Sequence, residues 1–268
     1  MTNLTDQEID WKQESRRFDA VASLYDAYRP GYPEQMIEYI LAATAIPQHG
    51  RILEIGSGTG IATLLFARRG FSLTCIDPGE NLVAIARRKL QGFPQVDFVV
   101  TDFEDWNGPQ GAYNLVISAQ AFHWIPKEIG FAKAARALKP GGCIALFWNM
   151  SPDLQGEIFD DLNKVYQACA PDLVMKKRDS YEYLVRQRER ELAGSGYFIG
   201  VEVKMFPWSA KYTTGQYLGL LNTYSDHLRL PEETRDRLFA GIADVINMYG
   251  GTLEKPYIAV AYTGCKAS

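Results

Sequence analysis

The chain has 268 residues, 47% of them hydrophobic and 22% charged, with a formal net charge of −4. That length holds one large α/β domain with insertions or two small domains, and the composition is that of a globular chain, not a disordered or fibrous one. No apolar run is long enough to cross a bilayer, and a mildly negative chain has no general attraction for phosphate backbones or anionic membranes.

Residues 1–17 are polar and charged, read as a loosely helical lead-in, and lack the apolar core of a signal peptide, so a cytoplasmic protein is expected. Phe18 to Tyr28 has helical spacing, and Arg29-Pro30-Gly31-Tyr32-Pro33 breaks it. Glu34 to Thr44 is a second amphipathic helix. Strands and helices then alternate: strand 51–55, helix 61–69, strand 72–76, helix 81–90, strand 96–100, strand 113–118, helix 129–138 and strand 143–148. Such alternation implies a parallel sheet covered on both faces. Beyond Asn149 the rhythm changes. Helices are expected over 154–168, 180–193, 214–228 and 232–248, with strands at 200–208 and 257–262. The expected fold is therefore α/β: a Rossmann-like, doubly wound, seven-stranded and mostly parallel sheet. Its helical insertions follow strand 5 and separate strands 6 and 7. Residues 1–50 form an N-terminal helical segment, and 51–268 the main domain, with 151–180 and 209–253 as helical caps. Cys75, Cys143, Cys169 and Cys265 are scattered without a C-x-x-C pair, so neither metal ligation nor a disulfide framework is expected and the thiols read as free.

The most informative stretch is Ile52-Leu53-Glu54-Ile55-Gly56-Ser57-Gly58-Thr59-Gly60, read as strand, tight turn and helix start. Glycine lets backbone approach a ligand closely, and the helix N-terminus behind it offers unpaired N–H groups to a negative group. A dinucleotide fold would need G-x-G-x-x-G, whose third glycine falls on Ile61; a nicotinamide-dependent oxidoreductase is thereby disfavoured but stays open as the alternative. Glu54 to Gly60 instead resembles the first motif of class I S-adenosylmethionine-dependent methyltransferases. In that family the loop wraps the methionine part of the cofactor and the acid orients its amino end. The resemblance implies Glu54, Gly56, Ser57, Gly58 and Gly60 as cofactor contacts. It implies Asp77, with Pro78, at the end of the second strand for the ribose hydroxyls, and Asp102-Phe103 after the third for the adenine. Ala119, in the loop Ala119-Gln120-Ala121-Phe122-His123-Trp124, would border the methyl-transfer site. Leu138-Lys139-Pro140-Gly141-Gly142 resembles the family's turn before the fifth strand.

Tyr28-Arg29-Pro30-Gly31-Tyr32-Pro33 together with Ala121-Phe122-His123-Trp124 narrows the likeness to the methyltransferase type 11 group that includes trans-aconitate methyltransferases. There the N-terminal segment closes over the cofactor, which implies Arg29 against the cofactor carboxylate and Tyr25 and Tyr32 as covers on the substrate side. The bland reading makes 29–33 a rigid turn. His123 is open three ways: a general base, a hydrogen-bond donor to a substrate carboxylate, or a cap of the following helix with Trp124 buried. Trp124, Tyr224 and His227 complete the candidate substrate contacts, the last two from the expected cap. Arg186, Arg188 and Arg190, with Lys176-Lys177-Arg178 upstream, interleave with acids and read as a solvated helix face. Methyl transfer from S-adenosylmethionine needs no metal, and the loop Ser118-Ala119-Gln120-Ala121 lacks the Asn/Asp-Pro-Pro-aromatic motif of nucleic-acid amino methylation. A small-molecule acceptor, with no nucleic-acid or membrane partner, is expected; the oligomeric state is not legible. A sensor or scaffold that binds the cofactor without turnover is the non-enzymatic alternative.

Overall fold

The computed structural model describes residues 17–175 and 181–267. Most of the expected lead-in (1–16) and the run Lys176-Lys177-Arg178 lie outside the described residues. Among the described residues, helical residues 17–20 lead into α1 (Ala22–Tyr28) and α2 (Glu34–Thr44), which precede β1 (Arg51–Ile55). The alternating part follows as α3 (Ile61–Ala67), β2 (Ser72–Asp77), α4 (Glu80–Lys89), β3 (Val96–Val100), β4 (Tyr113–Ala119), a 3-10 turn (Phe122–Trp124), α5 (Lys127–Ala137) and β5 (Leu138–Met150). The remainder is α6 (Glu157–Cys169), α7 (Pro171–Met175), α8 (Tyr181–Gly194), β6 (Phe198–Thr213), α9 (Thr214–Leu221), α10 (Ser225–Leu228), α11 (Glu232–Met248) and β7 (Thr252–Lys266).

The seven strands form one sheet in the order β3-β2-β1-β4-β5-β7-β6. β1 to β5 pair in parallel, while β7 runs antiparallel to both β5 and β6. Each central strand is buried on both sides, because successive side chains point to opposite faces and helices cover each face. On one face Ile52, Leu115 and Phe147 meet Met36, Ile37 and Ile40 of α2 and Phe66 of α3. On the other, Leu53, Val116 and Leu146 meet Phe131 of α5 and Val185 and Leu192 of α8. A third apolar cluster joins Leu162 of α6, Leu220 of α9 and Leu238, Ile242 and Ile246 of α11 to Tyr212 and Tyr257 at the sheet's end. This roof stands over the C-terminal ends of the parallel strands.

Four local outcomes differ from the sequence reading. β6 and β7 are far longer than 200–208 and 257–262, with a ladder that runs on to Thr213 opposite Thr252. Ser209 and Lys211 look like loop residues, but β6 is an edge strand with much of its side-chain surface in water, where polar residues and Pro207 are tolerated. The expected helix 214–228 breaks at Asn222–Tyr224; its start is fixed by a capping box between Thr213 and Gln216. Leu138-Lys139-Pro140-Gly141-Gly142 lies inside β5 as an irregularity, where Tyr113 pairs with Leu138 but Leu115 with Cys143. Finally, Cys143 and Cys265 stand directly opposite on β5 and β7 and are joined as a disulfide, which corrects the expectation of four free thiols. Sequence spacing had no access to that pairing, which the antiparallel register alone creates.

Candidate functional site

The glycine turn leaves β1 with positive φ at Gly56 (71°), Gly58 (54°) and Gly60 (77°), a backbone region that side chains with a Cβ rarely adopt. The amides of Gly56 and Ser57 donate to the Ile76 carbonyl, which ties the turn to β2. Asp77 completes the brace: one oxygen accepts Gly58 N–H at 2.8 Å and the other Gly79 N–H at 2.9 Å. The three glycines differ in purpose. A Cβ on Gly56 would stand 2.3 Å from the Cβ of Ala121, whereas beside Gly58 the nearest atom is 3.9 Å away on the Tyr25 ring. A Cβ on Gly60 would meet Leu90 at 2.7 Å, and Gly60 lines neither cavity described below. Gly60 therefore lets α3 close against the α4 end, a packing task, and does not face the site.

A small cavity of about 40 Å³ lies inside the turn, bordered by Glu54, Ser57, Gly58, Tyr32 and Arg29. Glu54 is fully buried there. Its Oε2 accepts the Thr63 hydroxyl at 2.6 Å, and Oε1 has no hydrogen-bond partner. Burial pushes its pKa up to about 7, against the opposing pull of the Thr63 and Cys75 hydrogen bonds. The hydroxyls of Ser57 and Thr59 are likewise buried and unpartnered. Tyr32 belongs to this compartment and packs edge-on against Phe147; it does not line the larger space where a substrate contact was expected.

The second cavity, about 920 Å³, begins at Gly56 and Gly58 and runs across the strand ends under the roof. Asp77, Pro78, Asp102, Phe103, Ala119, Tyr25, His123, Trp124 and Tyr224 all line it, so the structure brings together most of the residues singled out by sequence. Asp77 is 6% exposed, and its pKa is raised to about 6 by burial, with the backbone N–H groups of Gly79 and Gly58 pulling the other way. Arg29 borders both cavities, yet its Nε and Nη2 donate to the hydroxyl and carbonyl of Thr223, and its guanidinium is sandwiched between the Tyr25 and Tyr224 rings at 4.9 and 4.7 Å. Its clear structural task is to fasten the N-terminal segment to the roof. Asn149 fastens it again, donating to the Gly31 carbonyl at 2.8 Å, and Asp19 accepts the amides of Asn81 and Leu82 at the head of α4.

Two histidines depart from expectation. His227 is 3% exposed and lines neither cavity. Its Nε2 meets the Tyr166 hydroxyl at 2.8 Å and its Nδ1 the Asp226 carboxylate at 2.7 Å, so it belongs to the roof's interior and is withdrawn as a substrate contact. His123 does face the large cavity. Its Nδ1 lies 3.2 Å from Trp148 Nε1, and an indole N–H only donates, so Nδ1 must be an acceptor and the neutral ring carries its proton on Nε2. The residue is exposed toward the cavity while protein atoms crowd the ring; that crowding, with the Arg188 charge beside it, lowers its pKa. Its lone pair engaged and its other nitrogen protonated, it is a hydrogen-bond donor and a poor general base.

Sequence reasoning gave no individual site role to three residues that shape the cavity. Gln120 sits at φ 60°, an uncommon conformation for a residue with a side chain, with its amide on the Phe147 carbonyl. Trp148 lies near the end of β5, its indole N–H on His123. Arg188, read as part of a solvated face, turns inward and lies over the Trp148 ring at 4.0 Å, while Arg186 and Arg190 are exposed. A signal existed: Tyr181, Leu184, Val185, Arg188 and Leu192 share one face of α8, so Arg188 interrupts an apolar stripe.

A family model described as a methyltransferase domain matches residues 52–142, the span from β1 through the turn, the acids at the ends of β2 and β3, and into β5. An uncharacterized methyltransferase of Schizosaccharomyces pombe is 26% identical over 232 residues, covering 86% of this chain and 87% of that protein. Residues 52–142 are a methyltransferase domain, and the matches support a class I S-adenosylmethionine-dependent methyltransferase. Solved structures agree on the fold. A putative type II methyltransferase from Anaeromyxobacter dehalogenans superposes with a TM-score of 0.64 at 23% identity, over 90% of this chain and 97% of its own. A Haemonchus contortus phosphoethanolamine N-methyltransferase, solved with phosphomonomethylethanolamine and S-adenosylhomocysteine, gives 0.57 at 17%, over 98% and 61%. The antiparallel β7 inserted between β5 and β6 also separates this methyltransferase from the all-parallel 3-2-1-4-5-6 order of nicotinamide-binding folds, which removes the oxidoreductase alternative. The residues fit the cofactor: an orphaned carboxylate oxygen and two orphaned hydroxyls face or flank the small cavity, and an ammonium group is the donor such acceptors lack.

Proposed function

We propose that this methyltransferase acts on a small-molecule acceptor, by in-line transfer to a carboxylate or hydroxyl oxygen, in the large cavity. S-adenosylmethionine, when bound, supplies the activated methyl group. This chain's residues bind, orient and exclude water. Glu54, with Ser57, takes the amino end in the small cavity. Gly56 and Gly58 admit the cofactor against bare backbone, and Asp77, held rigid by two amides, accepts the ribose hydroxyls with its remaining lone pairs. Asp102 and Phe103 meet the base. Phe18, Tyr25 and Arg29 close the N-terminal segment over the cleft, and Trp124 and Tyr224 wall the acceptor side.

The observation that carries the reading is the shape of the large cavity. It continues from the glycine turn past Ala119 into a compartment enclosed by α8, the roof and the β5 end, roomy enough for cofactor and a small acceptor together. Its walls are mostly half-buried side chains carrying both signs of charge, not a uniformly basic groove. His123 offers an N–H to an acceptor oxygen and takes no proton from it, which suits a nucleophile already ionised, such as a carboxylate. Calorimetry with S-adenosylhomocysteine, then turnover with S-adenosylmethionine across paired small acids and alcohols, tests this. Methylation of a small acid or alcohol is expected; cofactor binding with methylation of only a protein or nucleic acid would refute the acceptor class.

A further inference from the structure

The geometry points to Arg188 as the anchor for an oxyanion on the acceptor, a carboxylate or phosphate held between its guanidinium and the Nε2–H of His123. This deepens the proposed function and rests on it. Arg188 is carried into the cavity by the apolar face of α8, its guanidinium carbon over the Trp148 ring at 4.0 Å from the centroid, and Trp148 in turn fixes His123 through the indole hydrogen bond at 3.2 Å. A cation and an N–H donor are thus fastened to one aromatic plate, on the far side of the cavity from Asp77 and Asp102.

Among the described residues no carboxylate forms an ion pair with Arg188. Glu191, the acid of its own helix whose charge acts on it, pairs with Lys127 instead. The Tyr262 hydroxyl, a buried neutral group, lies beside the guanidinium and interacts with it favourably, although it falls outside strict hydrogen-bond geometry. Asp153 also lines the cavity, but it is exposed to solvent at the rim. Burial lowers the pKa of Arg188, the direction expected of a cation taken from water without a compensating anion. A guanidinium presents a planar fork, the geometry that matches carboxylate and phosphate oxygens, and a lysine does not reproduce it. The opposite end of the cavity, lined by Asp77, Asp102 and Glu104, repels such an anion. The acceptor is thereby oriented with its charged end at α8.

The test uses the full chain saturated with S-adenosylhomocysteine, titrated separately with inorganic phosphate and with malonate. The readout is the indole N–H resonance of Trp148, assigned by Trp148→Phe. The signal is expected to shift with a midpoint on the order of 10 mM or below. Arg188→Gln is expected to raise that midpoint at least tenfold, Arg188→Lys several-fold, and Arg186→Gln, on the exposed face, not at all. The lower of the two wild-type midpoints tells phosphate from carboxylate. Should Arg188→Gln fail to fold, the loss in Arg188→Lys, which keeps the charge but not the fork, decides. A Trp148 signal insensitive to both anions, or equal midpoints in wild type and variants, overturns the anchor while leaving cofactor binding intact. Failure of S-adenosylhomocysteine to bind the wild type overturns the underlying reading instead.

Discussion

The two ends of the large cavity are built from different materials. The end assigned to the cofactor is backbone and strand termini: Gly56 and Gly58 at positive φ, two braced amides, and acids in or just beyond β1, β2 and β3. The end assigned to the acceptor is side chains from distant segments, with Trp148 from β5, Arg188 from α8 and Tyr224 from the roof. A site made from a turn needs particular residues at fixed spacing, so it writes a motif. A site made where helices cross needs only that a few side chains arrive together.

The contrast is broken most severely at the turn. Gly56→Val is expected to destabilise the fold and abolish detectable cofactor binding, since strain of about 1–3 kcal/mol at that φ is added to the collision with Ala121. Thermal melting and S-adenosylhomocysteine calorimetry check both effects. Asp77→Ala removes the brace and the ribose acceptor together and is expected to weaken S-adenosylmethionine at least about tenfold, a loss of about 1.4 kcal/mol or more. Unchanged affinity would detach the end of β2 from the cofactor.

Charge sharpens the comparison through pH. In the unliganded protein Glu54 has its pKa raised from 4.5 to about 7 and Asp77 from 3.8 to about 6, each chiefly by burial. A folded state that holds protons more tightly than the unfolded one gains stability at low pH. These contributions are fully present below the unfolded pKa values and are lost as pH rises through about 6 and then 7. Melting temperature without ligand is therefore expected to fall between pH 5 and pH 8 (a window bracketing the two shifted groups), and to fall less in Glu54→Gln. On the acceptor side the smallest effect is expected. His123→Gln keeps a donor and should cost less than about tenfold in kcat/KM without moving the pH profile, where loss of a general base costs about 10²–10⁴.

These effects track what the sequence made legible. The Glu54 to Gly60 stretch, Asp77 and Asp102-Phe103 were readable because each lies at or just after a strand end that periodicity already located. Gly60 was readable as glycine but not as packing, since the contact with Leu90 is made across α4. Tyr32 and His227 were misplaced for a related reason: proximity in a loop says nothing about which wall a ring turns toward. The Cys143–Cys265 bond depended on an antiparallel register between strands far apart in sequence. Arg188 was hidden by its neighbours, because exposed Arg186 and Arg190 and the interleaved acids made its helix look polar, and only the stripe through Tyr181, Leu184 and Leu192 set it apart.

The central claim is that a buried, proton-hungry carboxylate at the head of the turn receives the cofactor's ammonium group. Calorimetric titration of S-adenosylhomocysteine at pH 6 and pH 8 tests it most directly. Binding should be roughly tenfold tighter at pH 8, because the ammonium pairs only with the ionised form of a group titrating near 7, and Glu54→Gln should remove most of that difference. Equal affinity at the two pH values in the wild type, or a pH dependence untouched by Glu54→Gln, would contradict it.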